Sequence, residues 1–152
     1  MSMFCYQCQE TAKNQGCTVR GVCGKSEDVA VLQDLLVWLL KGISFYGVRA
    51  RKLGIDDADT NLFVAKALFA TITNANFDAD RFVTLIDEAI NRRSGLRMRL
   101  EAGWHDLHGE TFSEPLPEMA TWTPERGDEL ELRAQGMLVG VQSDPDLNAD
   151  VR

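Results

Sequence analysis

The sequence predicts an all-α protein in which a cysteine-rich N-terminal loop precedes an up-down-up bundle of three helices and an extended tail containing prolines. Three observations support this fold class. Apolar residues recur at helical spacing between residues 26 and 109, and capping residues and helix breakers divide that stretch into three. All four cysteines precede the stretch and all four prolines follow it. With 152 residues, 45% of them hydrophobic, the chain is long enough to bury a core.

Residues 1–25 show neither helical nor strand periodicity and are predicted to wrap as a loop around a bound group. The bundle is assigned to residues 26–109. Its first helix begins after Ser26, a favourable N-cap residue followed by two acidic residues, and it ends near Leu53, before Gly54. Apolar side chains cover more than one face of this helix, so we expect it to be central.

A second helix is predicted from about Asn61 to Thr73, with Asp59 and Thr60 as candidate caps. The run Asn-Ala-Asn at residues 74–76 separates it from the third helix. Asp78 is the expected N-cap of the third helix, which is predicted to run from about Ala79 to His108. Short connections between three amphipathic helices predict the up-down-up arrangement.

The tail, residues 110–152, is predicted to be extended or irregular because each proline disfavours helix at the preceding residue. A short helix is possible between Glu125 and Gln135. Residues 148–152 read as the cap and first turn of another helix, at whose start this chain is expected to be cut.

The charge distribution bears on the class of partner. The net charge is −7, with +3 on residues 1–54 and −10 on the remainder. An acidic body argues against nucleic acid, because phosphate binding requires a basic surface. No signal peptide is evident, and the charged residues in the most apolar stretch predict a buried helix rather than a membrane span. We therefore expect a cytoplasmic protein, in which clustered cysteines stay reduced and bind metal.

The strongest functional signal is the cysteine spacing, C-x2-C-x8-C-x5-C, formed by Cys5, Cys8, Cys17 and Cys23. Four thiolates on an irregular loop suit either tetrahedral zinc or an iron–sulfur cluster. The five residues between the last two cysteines exceed the usual zinc-knuckle spacing and favour an iron–sulfur cluster. Glycines at positions 16, 21 and 24 permit tight turns and close approach of backbone N–H groups to the sulfurs.

Three basic residues of the loop, Lys13, Arg20 and Lys25, also favour an anionic centre, because nearby cations stabilise a negatively charged cluster and raise its potential. Zinc, disulfides and unrelated free thiols remain open alternatives on the spacing alone. No phosphate-binding loop, dinucleotide fingerprint or nucleophile elbow is present.

Two further groups of residues are interpreted as structural. His105 and His108 are predicted to be a surface pair rather than metal ligands, since no acidic residue completes a helical metal motif. The basic run formed by Arg92, Arg93, Arg97 and Arg99 is read as a solvated helix face partly paired with acidic neighbours, with a docking patch for an acidic redox partner as the alternative. Trp122 is expected to pin the proline-containing loop to the bundle.

The residues themselves resemble the hybrid-cluster proteins, also called prismane proteins or hydroxylamine reductases. The N-terminal match comprises MFCYQCQET at residues 3–11, Gly-Cys at 16–17 and Cys-Gly-Lys at 23–25. Later matches are LQDLL at 32–36, FATITNANFD at 69–78 and SEPLP at 113–117, continuing through Trp122. The resemblance covers nearly the whole chain.

The resemblance implies that Cys5, Cys8, Cys17 and Cys23 ligate the N-terminal cluster of the family, and that their short spacing accompanies a 4Fe-4S rather than a 2Fe-2S cluster. It also implies that residues 110–152 lead into a second helical bundle that this chain lacks, whose first helix would begin near Asn148. The active centre is expected to be a separate iron–sulfur–oxygen hybrid cluster, whose ligands lie in later domains. No cysteine follows Cys23, so no residue of this chain is assigned a catalytic role.

The resulting hypothesis is an N-terminal electron-transfer segment of a hydroxylamine reductase, which forms ammonia or, in some members, reduces nitric oxide. Its expected partners are a redox protein as electron donor and the remaining domains of the parent, with neither nucleic acid nor membrane. The alternative is a non-catalytic interaction module stabilised by zinc or by a cluster.

Overall fold

The computed structural model describes residues 3–72 and 77–140, and within these ranges the protein is all-α, as predicted. The helices are α1 (Glu27–Lys52), α2 (Ala58–Ile72), α3 (Ala79–His108), α4 (Glu118–Thr121) and α5 (Glu129–Val139). A 3-10 turn at Ala12–Asn14 interrupts the N-terminal loop. The described residues contain one isolated β-bridge, between Cys5 and Cys17, and no strand.

Helix α1 is the centre of the fold and agrees with its prediction to within a residue at each end. The hydroxyl of Ser26 accepts a hydrogen bond from the N–H of Val29 at 3.4 Å, as an N-cap does. Helices α3, α4 and α5 all pack on α1. By length and composition α1 could cross a membrane, but 67% of its most apolar window is buried inside the protein, as expected of a core helix.

Helix α2 is more peripheral than the predicted bundle requires. It begins at Ala58, three residues before the predicted start, because the Asp57 carboxylate accepts hydrogen bonds from the N–H and the hydroxyl of Thr60. Its contacts are mainly with α1 and are fewer than those of α3 or α5. Several of its large apolar side chains are exposed, namely Leu62, Leu68, Phe69 and Ile72. The predicted break at residues 74–76 and the end at Thr73 lie outside the described residues.

Helix α3 has the predicted bounds. The Asp78 carboxylate accepts from the N–H groups of Asp80 and Arg81, and Gly109 ends the helix in the left-handed conformation, with φ 71°. The inward face of α3 contributes Phe82, Ile86 and Leu100 to the core beside α1.

The tail is more helical than predicted, since α4 and α5 both lie within residues 110–140. The possible helix at Glu125 begins instead at Glu129, because the turn before it is held by side chains. The carboxylate of Glu131 accepts the N–H groups of Glu125, Arg126 and Gly127 at 2.7 to 3.0 Å, and Asp128 caps the helix. Helix α5 then packs on α1 through the buried Leu132. The predicted helix start at residues 148–152 lies outside the described residues.

The segment between α3 and α5 is tied down by a buried arginine. Arg93 is 2% exposed, and its guanidinium donates to the carbonyl of Met119 at 2.8 Å and to that of Trp122. The interpretation of Arg93 as part of a solvated face is therefore wrong, whereas Arg92 and Arg97 do form partly exposed i,i+4 pairs with glutamates. Trp122 packs edge-on against Trp38 of α1 at 6.0 Å between ring centroids, which confirms that it pins this loop.

Candidate metal centre

The first and third cysteines are brought together by the backbone. The N–H of Cys5 donates to the carbonyl of Cys17 at 3.0 Å, and the N–H of Cys17 donates back to Cys5 at 2.9 Å. A residue pair that exchanges both bonds has its Cα atoms about 5.5 Å apart. The bridge therefore holds two of the four predicted ligands side by side, although twelve positions separate them in the sequence.

The chain reverses between these cysteines through a tight turn after Cys8. The N–H of Thr11 donates to the carbonyl of Cys8 at 3.2 Å, and the 3-10 turn follows. Lys13 and Asn14 both have positive φ, 54° and 56°, which is uncommon for residues other than glycine and which sharpens the reversal.

Glycine at position 16 is required by the same reversal. Its φ is 120°, and a Cβ there would lie 2.4 Å from the ring of Phe4. Any other residue would therefore be strained and would displace Phe4, the neighbour of Cys5.

Cys23 is positioned by a second turn, in which the N–H of Gly24 donates to the carbonyl of Gly21 and the N–H of Gly21 donates to the carbonyl of Lys25, both at 2.8 Å. A Cβ on Gly21 would lie 2.9 Å from the sulfur of Cys23. The absence of a side chain at position 21 thus leaves room for this thiol.

The Cys17 thiol lies among hydrogen-bond donors. Backbone N–H groups of Ala12 and Val22 lower its pKa, and the hydroxyl of Thr11 and the charge of Lys25 act in the same direction, while burial opposes them. The Ala12 nitrogen lies 3.5 Å from this sulfur and the Thr11 hydroxyl 3.7 Å from it. Such donors stabilise the thiolate, the form that binds metal.

All four cysteines are free thiols, but they differ in exposure: Cys17 is buried, Cys5 and Cys23 are partly buried, and Cys8 is exposed. The structure brings Cys5 and Cys17 together and places Cys23 on the adjoining turn. Within residues 3–72 and 77–140, no three side chains of His, Cys, Asp or Glu are gathered closely enough to hold one metal ion. The predicted ligands therefore share one loop without forming a single-ion site.

A polar network that the sequence did not single out joins this loop to α1. The ammonium of Lys25 donates to the side-chain oxygens of Gln7 at 2.7 Å and Gln33 at 2.6 Å, and it lies 3.8 Å from the sulfur of Cys5. Gln33 is 1% exposed and interrupts an otherwise apolar stretch of α1. A buried amide among leucines was the available signal, since such a group needs a polar partner.

These residues surround a small cavity of about 110 Å³ at the junction of the loop with α1. Its lining includes Cys5, Gln7, Lys25, Gln33 and Asp34. Burial raises the pKa of the Asp34 carboxyl from 3.8 to about 7, although the charges of Lys25 and Lys41 act against that rise. A larger cavity of about 180 Å³ lies between α1 and α2 and has no cysteine in its lining.

The two histidines lie far along α3, and both are exposed, as expected of a surface pair. His108 packs on Trp104, with 4.2 Å between ring centroids.

Comparison with known proteins identifies the family. Residues 3–145 match the Prismane/CO dehydrogenase family. The chain is 53% identical over 152 residues to a hydroxylamine reductase of Halothermothrix orenii, covering 100% of this chain and 27% of that protein. It is 50% identical over 150 residues to a hydroxylamine reductase of Nitratidesulfovibrio vulgaris, covering 99% and 26%. A hydroxylamine reductase of Petrotoga mobilis is 46% identical over 146 residues, covering 96% and 27%.

The chain thus spans about 27% of the length of the curated relatives that it matches. The match extends over the cysteine loop and the five helices of residues 3–72 and 77–140. The chain belongs to the Prismane/CO dehydrogenase family.

Proposed function

We propose that Cys5, Cys8, Cys17 and Cys23 bind a 4Fe-4S cluster and that the chain is the N-terminal electron-transfer segment of a hydroxylamine reductase. The observation that carries the proposal is the cysteine loop itself. Four free thiols lie on one loop whose N–H groups and buried ammonium are directed at sulfur atoms. The whole chain is also about half identical to hydroxylamine reductases.

The donor set fits an iron–sulfur cluster chemically. Four cysteine thiolates are its usual ligands, and hydrogen bonds to sulfur are among the features that set its potential. Because each thiolate of such a cluster binds a different iron, its ligands lie farther apart than those of a single ion. The spread of the thiols along the loop, with Cys17 buried and Cys8 exposed, is compatible with that requirement.

When bound, the cluster would supply one-electron transfer. Cys5, Cys8, Cys17 and Cys23 would hold it on the loop that packs against the N-terminal half of α1, where Cys17 and Met3 are buried and Cys8 is exposed. An exposed side is where a redox partner protein would approach to donate electrons. We place the protein in the cytoplasm, where the thiols would stay reduced.

The reduction of hydroxylamine to ammonia and water, which consumes two electrons and two protons, would take place in the remaining domains of the longer protein. Those domains would hold the hybrid cluster. Nitric oxide is a second candidate substrate of the same centre. The part of the chain described here contributes no group to that chemistry in this proposal.

Anaerobic reconstitution with iron and sulfide, followed by metal analysis, tests the cluster. About four irons per chain, with acid-labile sulfide and a broad visible absorption band, are expected. One zinc per chain with no colour would instead favour a zinc-stabilised interaction module and would overturn the proposal.

A separate assay tests the division of roles. The reconstituted 152-residue chain should accept electrons from a chemical reductant but should not turn over hydroxylamine. Sustained ammonia formation by this chain would show that the catalytic centre does not require the remaining domains.

A further inference from the structure

Lys25 differs from the other cations of the cysteine loop. It is 3% exposed, and a lysine is almost never this buried without a partner for its charge. Its ammonium donates to two neutral amide oxygens, those of Gln7 and Gln33, and lies 3.8 Å from the sulfur of Cys5. The sequence grouped Lys25 with Lys13 and Arg20, but both of those residues are exposed.

The charge of Lys25 is only partly compensated. Neutral amides solvate an ammonium without cancelling its charge, and removing such an ion from water is unfavourable unless its charge is compensated. The Asp34 carboxyl lines the same cavity, but among the described residues no carboxylate forms an ion pair with the Lys25 ammonium. The buried cation therefore still favours an anion beside it, and the nearest sulfur is that of a predicted ligand.

The side-chain amide of Gln33 is a second feature of this cavity. Its side-chain oxygen is occupied by Lys25, whereas its Nε2 is buried and has no hydrogen-bond partner among the described residues. A buried donor left unsatisfied destabilises the folded protein. Because Gln33 and Cys5 line one cavity, this donor and the ammonium are both placed to stabilise negative charge there.

We propose that Lys25 is the counter-charge of the cluster, held beside Cys5 by Gln33 and Gln7, and that it raises the reduction potential. The inference rests on the proposed cluster. Reduction adds one negative charge to the cluster. A fixed positive charge next to a ligand sulfur favours the reduced state, and more so in a buried site, where solvent screens the interaction less. Gln33 is a positioning residue, since it acts through Lys25 from the rigid helix α1.

A redox titration of the reconstituted chain, followed by its visible or paramagnetic resonance signal, tests this inference. Lys25→Met should lower the equilibrium constant for reduction at least tenfold, which is a fall of about 59 mV for a one-electron couple. Lys25→Arg, which keeps the positive charge, should have an equilibrium constant for reduction within about twofold of the wild-type constant. Lys13→Met is the matched control, because it removes an exposed lysine from the same loop and should leave the potential unchanged.

Gln33→Leu keeps the charge but removes its anchor, so it should lower the potential by less than Lys25→Met does. An unchanged potential in Lys25→Met, or an equal fall in Lys13→Met, would overturn the inference. If Lys25→Met takes up no cluster, Lys25→Arg decides: uptake with the wild-type potential supports the counter-charge, and failure of both variants contradicts it. Failure of the wild-type chain to bind iron and sulfide would count against the proposed function instead.

Discussion

The cysteine loop, residues 3–25, and the helices behind it are held in place by different interactions. The helices share one continuous core that runs along α1 and includes Leu36, Leu39 and Tyr46. The loop buries Met3 and Cys17 in a separate small cluster with Ala30 of α1, and most of its other side chains are exposed. The loop therefore depends on individual hydrogen bonds and turns, whereas the helices depend on buried apolar area.

Helix α1 is the element that the two regions share. One part of its surface supplies leucines to the core, and residues near its N-terminus, Ala30 and Gln33, contact the loop. A weakly packed loop is thus supported by the most buried helix of the protein. This arrangement suits a site whose ligands adjust to a cofactor while its position relative to the helices stays fixed.

The largest expected effect separates the cluster from the fold. Cys8→Ser should lose most of the iron and sulfide, because serine replaces one of four proposed ligands, while the helices persist on their own core. Iron and sulfide analysis measures the first change, and far-ultraviolet circular dichroism measures the second. Cys8 is exposed, so the substitution removes no core packing.

Gln9→Ser is the matched control for that experiment, since it changes the neighbouring exposed position and should keep the cluster. Loss of helical signal in Cys8→Ser would show that the helices require the cluster, and it would remove the distinction between the two regions.

The next effect tests the core. Leu39 is fully buried on α1, and Leu39→Ala should lower the free energy of unfolding by about 2–5 kcal/mol. Val19 in the loop is 81% exposed, and Val19→Ala should change the free energy of unfolding by less than about 0.5 kcal/mol. Urea denaturation of the cluster-free protein measures both values. Similar costs for the two variants would mean that the loop packs far more tightly than its exposure indicates.

Asp34, at the junction of the two regions, should make stability depend on pH. Burial raises the pKa of its carboxyl from 3.8 to about 7 in the folded protein. Between these values the folded state keeps a proton that the unfolded chain has lost, so stability falls as pH rises from about 4 to about 7 and is level above. Relative to Asp34→Asn, the wild type should lose up to about 4 kcal/mol over that range.

Denaturation of both proteins at a series of pH values measures the difference. A constant difference between wild type and Asp34→Asn across the range would show that this carboxyl ionises as freely in the folded protein as in the unfolded chain.

Helices whose ends carry strong local signals are predictable from the sequence. Contacts between segments that are distant in the chain are not. Ser26, Asp78 and Gly109 end their helices as expected because capping is a local interaction. The start of α2 was placed three residues late because Asp57 and Thr60 cap it together, and its neighbour Asp59 was an equally good cap by residue type. The tail is more helical than its prolines predict because α5 depends on packing against α1 as well as on its own pattern.

The candidate site shows the same division. The spacing of the four cysteines was visible in the sequence, and so were the glycines that make their turns. The bridge between Cys5 and Cys17 and the burial of Lys25 on Gln33 arise only when the loop folds onto α1. No local pattern in the sequence distinguishes Lys25 from Lys13, because both are lysines of the same cysteine-rich loop.

The smallest expected effect concerns two arginines of α3 that are equivalent by sequence. Arg93 is buried and donates to the carbonyls of Met119 and Trp122, so Arg93→Met leaves two acceptors unpaired and should cost about 2 kcal/mol. Arg97, one turn further on, pairs with Glu101 near the surface, and Arg97→Met should cost less than about 1 kcal/mol. Urea denaturation measures both costs. Equal costs would mean that the hydrogen bonds of Arg93 stabilise the fold no more than the ion pair of Arg97 does.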